Sequence, residues 1–325
     1  MRRREVIALL TGSIALPLPT RGQPSPRPWR IGLLETTDAG ANRANLDALR
    51  DGLRNLGYVE GRNLAIEYRS AGGEAGRFAD MAAELVRLGV DVIVTRGTPA
   101  ALAARAASSV VPIVMAASGE PSETGVIASL AHPGGNVTGL SSFNTQLELK
   151  RLELLLEIIP AARRLGGLYN LGNPVSPRWE AVRQSGLTRG LDAQLFDVRR
   201  PADIEPAFQA AAQARVDALT VGMDALTQAE RRPIAELAAR HGLPAIYPAR
   251  EFVDDGGLIA YSVSYHDLYL RAATFIDKIL KGAKPSELPV EQPTKFELVV
   301  NIKAAKALGI EMPESILLRA DEVIE

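Results

Sequence analysis

The stretch Val90-Asp91-Val92-Ile93-Val94-Thr95-Arg96-Gly97-Thr98-Pro99-Ala100 decides the architecture. Its first half is a short β-branched run following Gly89, which reads as a buried strand. Gly97 then allows the backbone to turn, and Pro99 stands early in the next segment, where its missing N–H is harmless to a helix. Strand, glycine turn and helix make one βα unit. The same unit recurs on both sides. Trp29–Leu34 and Leu64–Tyr68 read as strands, and Ala41–Leu56 and Arg77–Leu88 as helices stopped by Gly57 and Gly89. Pro112–Ala116 reads as the next strand. Continuous apolar strands that alternate with helices predict a mostly parallel sheet covered on both faces.

The segment Ala131-His132-Pro133-Gly134-Gly135-Asn136-Val137-Thr138-Gly139 holds three glycines and a proline, and reads as a loop and a boundary. The rhythm then restarts. A helix is expected over Gln146–Ile159, ended by Pro160. Strands follow at Leu165–Tyr169, Ala193–Phe196, Ala218–Val221, Leu243–Tyr247 and Leu258–Tyr261. Helices fall within Pro177–Gly190, Ile204–Ala214, Glu230–His241 and Leu268–Leu280, and a last strand and helix lie within Phe296–Leu308. The fold class is therefore α/β, with two Rossmann-like lobes around a central cleft. Residues 29–141 with about 263–288 are expected to form lobe 1, and 142–262 with about 289–325 lobe 2. Ligands of open α/β sheets gather outside the carboxyl ends of the strands. Two such sheets face to face suit hinge closure on a small organic solute.

The chain of 325 residues opens with Arg2, Arg3 and Arg4, followed by thirteen uncharged residues, Val6–Leu18. That run is shorter than the about 20 apolar residues a membrane-spanning helix needs. Residues 1–28 read as an export signal with a proline-rich leader, which implies the periplasm by the general secretory (Sec) or the twin-arginine route. No membrane span is expected in the mature chain. The formal charge is −1, and losing four Arg and one Glu with the first 22 residues makes it −4, so nucleic acid is not an expected partner. There is no cysteine, which excludes thiol catalysis, disulfides and thiolate metal sites. His132, His241 and His266 sit in no metal-binding spacing, and no G-x-S-x-G elbow occurs. Neither a metal nor a cofactor is expected, catalysis finds no support, and a monomer is expected.

The candidate binding residues stand at strand ends. Thr98 can cap the helix begun by Pro99 and hold a ligand carboxylate or hydroxyl. Ser118, Glu120 and Pro121 follow the strand at Pro112–Ala116, and Glu120 suits an ammonium or faces solvent. Asn170, with donor and acceptor capacity, follows the strand at Leu165–Tyr169; Asn173 reads as a turn residue. Asp224 follows Ala218–Val221 and either caps local backbone or takes a ligand amine. Tyr247 and Tyr261 end strands, with Glu251 and Ser262 nearby, and either cover an apolar ligand or pack at the lobe surface. Tyr265 and Tyr269 read as packing residues on a helix.

The assembled phrases resemble those of ABC transporter substrate-binding proteins of the tryptophan/tyrosine-type family. They are Arg2-Arg3-Arg4-Glu5, Gly52-Leu53 and Gly57-Tyr58-Val59-Glu60-Gly61-Arg62-Asn63, the loop from Ala131 to Gly139, and Leu243-Pro244-Ala245-Ile246-Tyr247-Pro248 with Arg250-Glu251-Phe252. Ile279-Leu280-Lys281-Gly282-Ala283-Lys284-Pro285 and the run from Leu288 to Leu298 complete them. The resemblance implies a type I periplasmic-binding fold with three crossings between lobes, closing on a solute that a permease then takes. It also implicates the loops of Thr98 and Pro99, Glu120 and Pro121, Asn170, Asp224, and the region of Tyr247, Glu251 and Tyr261. The chain departs from the family pattern in three places. Glu120 stands where Asp is usual, Leu171-Gly172 where Asn-Pro is common, and Val6 where Phe is usual. A sensor module serving a membrane receptor, or an enzyme on the same fold, are the other readings.

Overall fold

Val92–Arg96 is the central strand of a five-stranded parallel sheet, wholly buried, as its β-branched composition requires. The computed structural model describes residues 27–142, 145–173 and 178–325. The expected export signal falls almost entirely on residues 1–26, outside the described residues. The first lobe runs β1 (Trp29–Glu35), α1 (Arg43–Asn55), β2 (Leu64–Ser70), α2 (Phe78–Arg87), β3 (Val92–Arg96), α3 (Thr98–Ala107), β4 (Ile113–Ser118) and β5 (Val137–Ser141). Its strand order is β2-β1-β3-β4-β5. The turn from β3 into α3 needs Gly97, whose φ is +87°.

The second lobe begins with α4 (Thr145–Ile158), β6 (Arg164–Tyr169), α5 (Arg178–Thr188), β7 (Asp192–Asp197), α6 (Ile204–Gln213) and β8 (Ala218–Val221). It continues with α7 (Ala225–Ala229), α8 (Arg231–Arg240), β9 (Ala245–Tyr247), α9 (Glu251–Asp254) and β10 (Ile259–Val263). The chain then forms α10 (Tyr265–Leu280), β11 (Phe296–Asn301), α11 (Ile302–Ala307), α12 (Glu314–Leu317) and β12 (Glu322–Ile324). The second sheet has the order β12-β11-β10-β9-β8-β6-β7, with β11 antiparallel to β10 and every other pair parallel.

Helix α10 leaves the second sheet and packs along α1. Tyr269 donates to Glu35 Oε1 at 2.7 Å, and Tyr58 donates to Asp277 Oδ1 at 2.9 Å. The chain then returns past β5, where Ser141 N–H donates to Glu291 O and Glu291 N–H donates to Gly139 O, both at 2.9 Å. Three segments therefore cross between the lobes.

The structure corrects four expectations. Val137–Gly139, expected in a loop, begins β5, because Asn136 pins the turn through Ser108 O and Val111 O and so aligns Val137 with Ile113. Helix α10 starts at Tyr265 rather than Leu268, since the Ser264 hydroxyl accepts from Asp267 N–H. Helix α7 starts at once after Asp224, ahead of the helix expected near Ala229. Strand β12 was not expected; three residues on a sheet edge leave little periodicity to read.

In β6, Gly167 lies under the Trp179 ring, and an added Cβ would come within 2.2 Å of Trp179 Cζ3. Trp179 is itself held against Tyr169, with ring centroids 5.4 Å apart. Gly167→Ala is expected to destabilise the protein by about 1–3 kcal/mol through overpacking, read as a lower midpoint of urea unfolding.

Candidate functional site

The carboxyl ends of the two sheets face one another. Thr36 after β1, Arg96 at the end of β3 and Ala117 in β4 come from the first lobe, and Met223 and Asp224 after β8 from the second. They surround a cavity of about 40 Å³, roofed by Tyr265 and Gln228. A second space of about 10 Å³ adjoins it through Met223 and Asp224 and reaches Glu148, Tyr169, Asn170 and Arg178. The lobes touch here: Ala225 of α7 is buried with Leu34, Ala71 and Phe78 of the first lobe.

Thr98 and Ser118 meet across the ends of β3 and β4. Their hydroxyl oxygens are 3.2 Å apart, and Thr98 donates to Gly119 O at 2.9 Å. Thr98 does not cap α3, contrary to expectation. Gly97 is the N-cap and Thr98 is the first helical residue, so its side chain points along the strand ends instead. Pro99 sits in the first turn, as read. Glu120 follows with φ +45°, a left-handed conformation uncommon outside glycine. Its Oε1 accepts from Thr145 N–H, the first residue of α4, at 3.3 Å. Glu120 thus binds the start of α4 at the first crossing, and Pro121 is buried beside it.

In the second lobe, Asp224 collects three donors. Asn170 Nδ2 lies at 2.9 Å from Oδ1, Asn173 Nδ2 at 2.6 Å from Oδ2, and Leu226 N–H at 2.9 Å from Oδ1. It caps α7 and also orders the loop after β6. A carboxylate has about four acceptor sites, so a further donor can still be taken. Both functions of Asn170 are engaged internally, because its Oδ1 accepts from Gly172 N–H at 2.9 Å. Asn173, read as a turn residue, is a buried partner of Asp224.

Glu251, at the start of α9, reaches the first lobe. Its Oε1 accepts from Asn45 Nδ2 at 3.3 Å and pairs with Arg96 Nη2 at 3.4 Å. Tyr261 packs its ring on Phe296, with centroids 6.3 Å apart, and its carbonyl accepts from Arg151. Ser262 is buried, and its hydroxyl has no partner among the described residues. Tyr247 is placed apart from these residues. It is 1% exposed and stacked on Phe252 at 5.1 Å, lining neither cleft cavity. Its ring follows Ala245 onto the face covered by α8, because alternate residues of a strand share a face.

Residues that the sequence reading missed form the charged centre of the site. Arg96 is 4% exposed, donates to Asn42 Oδ1 at 3.0 Å, and lies over the Tyr265 ring at 4.4 Å. Burial opposes its charge, but Tyr269, Glu251, Tyr265 and Glu35 outweigh that, so its pKa is raised. Tyr265 therefore faces the cleft rather than serving only as helix packing. Burial pushes the Glu35 carboxyl up to about 7, against the lowering effects of Arg96 and of the Tyr269 hydrogen bond. Below the cleft floor, Glu148 and Arg151 pair at 2.9 Å with side chains 1% and 2% exposed, and Tyr169 donates to Glu148 Oε2 at 2.9 Å. Burial lowers the pKa of Arg178, with Glu148 and Glu120 opposing. The one available sequence signal was a charged residue closing an apolar strand, Val92-Ile93-Val94-Thr95-Arg96. Among the described residues, no group of three or more His, Cys, Asp or Glu could hold a metal, and no helix is long and apolar enough to cross a membrane.

A two-lobe α/β frame with polar strand ends converging on one cleft is the geometry of solute capture. The family profile described as ABC transporter substrate binding protein matches residues 30–324. The chain belongs to this family. ABC transporter substrate-binding proteins of this fold are non-catalytic, and the role of this member is solute binding for such a transporter. An extracytoplasmic location is consistent with that fold. Among curated relatives, this substrate-binding protein is 26% identical over 261 residues to a tyrosine-binding protein of Clostridioides difficile, covering 80% of this chain and 74% of that one. It is similar to the crystal structure of a conserved domain protein from Vibrio cholerae, with TM-score 0.85, 28% identity, and coverage of 91% of this chain and 100% of that one. It is also similar to an ABC domain from Streptococcus pneumoniae in complex with L-Trp, with TM-score 0.84, 29% identity and the same coverage. These scores show a type I periplasmic-binding fold.

Proposed function

We propose that the substrate-binding protein captures an α-amino acid with an apolar or aromatic side chain and hands it to the permease of an ABC importer. One observation carries the reading: groups suited to both ends of an amino acid converge on one cleft. Asp224 offers a carboxylate with acceptor capacity left, suited to an ammonium. The buried Arg178 guanidinium, which lines the same space as Asp224, suits a carboxylate, and the hydroxyls of Thr98 at the start of α3 and Ser118 at the end of β4 stand close behind Gly97 and Ala117 of the cleft. The relatives named for tyrosine binding and solved with L-Trp support the same class.

In this reading the contacts of Asn45 and Arg96 with Glu251 stabilise the closed lobes. A solute enters when they part, because the cleft cavities hold far less than an amino acid. Residues 1–28 direct the chain to the periplasm, where it acts as a monomer.

A thermal-shift screen with L-Trp, L-Tyr, L-Phe, branched amino acids, aromatic acids and purines tests this. Binding to the native state raises its stability, by about 2.7 kcal/mol at a hundred times Kd. The expected hit is an amino acid. A shift with aromatic acids and none with any amino acid would sink the reading. Asp224→Ala is expected to lower affinity for that hit at least tenfold by calorimetric titration. It should also cost about 1–2 kcal/mol of stability through the lost α7 cap, seen in urea unfolding without ligand.

A further inference from the structure

The second lobe holds a larger cavity that the solute-binding role does not use. It has a volume of about 440 Å³ and shares no residue with the cleft cavities. It lies between α8 and α11, on the face of the second sheet to which Ala245 and Tyr247 point. Its walls are mostly small and apolar: Ala235 and Ala238 from α8, Leu243 and Leu258 from the loops before β9 and β10, and Ala304 and Leu308 opposite. Apolar cavities of about 300–1,000 Å³ with a few placed polar groups are the usual form of a small-molecule site.

Two largely buried residues turn a donor towards this cavity. Tyr247 is 1% exposed, and its hydroxyl makes no hydrogen bond among the described residues. Asn301 is 6% exposed; its Oδ1 is used by Ala304 N–H at 2.9 Å, but its amide nitrogen has no partner among the described residues. Neither atom is sealed off within the protein, so both are open to the cavity and can donate to an acceptor that enters it. Burial pushes the Tyr247 pKa upward, so the phenol remains a neutral donor. At the rim, Lys303 is exposed and makes no ion pair among the described residues, while Asp254 is engaged by Arg250 at 3.3 Å and Glu325 adds a second carboxylate.

We propose that this cavity is a second ligand site, taking a small monocarboxylate with an aliphatic or aromatic body. The body lies on the alanine walls, and the carboxylate accepts from Tyr247 and Asn301 with Lys303 nearby. The site is independent of the cleft and of whatever solute the cleft takes.

The test is a titration of the full-length protein, labelled at alanine and leucine methyl groups, with sodium octanoate followed by NMR. Saturable shifts at Ala238, Ala304, Leu243 and Leu308 are expected, and they persist unchanged in Asp224→Ala, which disables the proposed cleft. Tyr247→Phe should weaken octanoate about three- to tenfold, the value of one hydrogen bond. Ala238→Trp, which fills the cavity, should abolish the shifts while the cleft hit still binds. Octylammonium, with the same tail and a donor-only head, should not produce them. Absence of shifts in the parent protein, equal binding of octylammonium, or unchanged affinity in Tyr247→Phe would each overturn the proposal.

Discussion

Arg151→Met is expected to cost about 3–5 kcal/mol of stability, the usual consequence of stranding a buried charge. Glu148, at 1% exposure, would lose the guanidinium 2.9 Å away, keeping the hydrogen bond from the Tyr169 hydroxyl. The Tyr261 carbonyl would also lose its donor. The pair is close at 2.9 Å but poorly aligned for a hydrogen bond, since Glu148 Oε1 and Arg151 Nη2 both lack one. Its contribution is therefore mainly Coulombic. The double variant Glu148→Gln with Arg151→Met should be more stable than Arg151→Met alone, because the stranded Glu148 charge is removed with its partner. Urea unfolding of the four proteins in the cycle gives the coupling energy. A double variant as unstable as the sum of the two single changes would show that the ions do not interact.

Glu35 makes the second large effect, and it is a pH effect. Its carboxyl titrates at about 7 in the folded protein against 4.5 when free of the fold, chiefly because it is buried. Between those values the native state binds more protons than the unfolded state, so stability falls as pH rises. The contribution is complete below pH 4.5, declines through the interval and is gone above about 7. Its size is about 3 kcal/mol. Unfolding midpoints measured from acid to neutral pH should fall for the parent protein. Glu35→Gln retains an acceptor for Tyr269 and should remove this loss from the profile. Parallel profiles for the two proteins would refute the assignment. Because Glu35, at the end of β1, interacts with Arg96 and is bonded by Tyr269 of α10, the same protonation should bias the contacts that hold the lobes together.

Strand-to-helix steps were readable wherever a β-branched run met glycine and then an early proline, as at Val92 to Pro99. That was enough to place Thr98, Ser118, Asn170 and Asp224 at strand ends. Which of them lines the cleft was not readable, since the same side chains also cap helices and tie loops, as Asp224 does for α7. Tyr247 and Tyr265 show the limit most clearly. Both are buried aromatic residues beside strand ends, and only the strand face and the helix cap at Ser264 send one away from the cleft and the other into it. Glu148 and Arg151 have the spacing of an ordinary exposed helix pair. Their burial follows from β10 lying across α4, a contact between elements about a hundred residues apart in sequence.

The passage of α10 out of the second lobe and onto α1 also bears on how the protein is made. The first sheet is fully synthesised by Ser141, yet its α1 face stays uncovered until Leu280 has been added. The second sheet in turn waits for β11 and β12, which follow α10. The first lobe therefore cannot finish until most of the second has been made, although domains ordinarily fold in order of synthesis. The distant pairing of these elements also slows folding relative to a chain with local contacts. The α1 face is closed only by a partner 219 residues downstream, as the bond from Tyr58 to Asp277 shows.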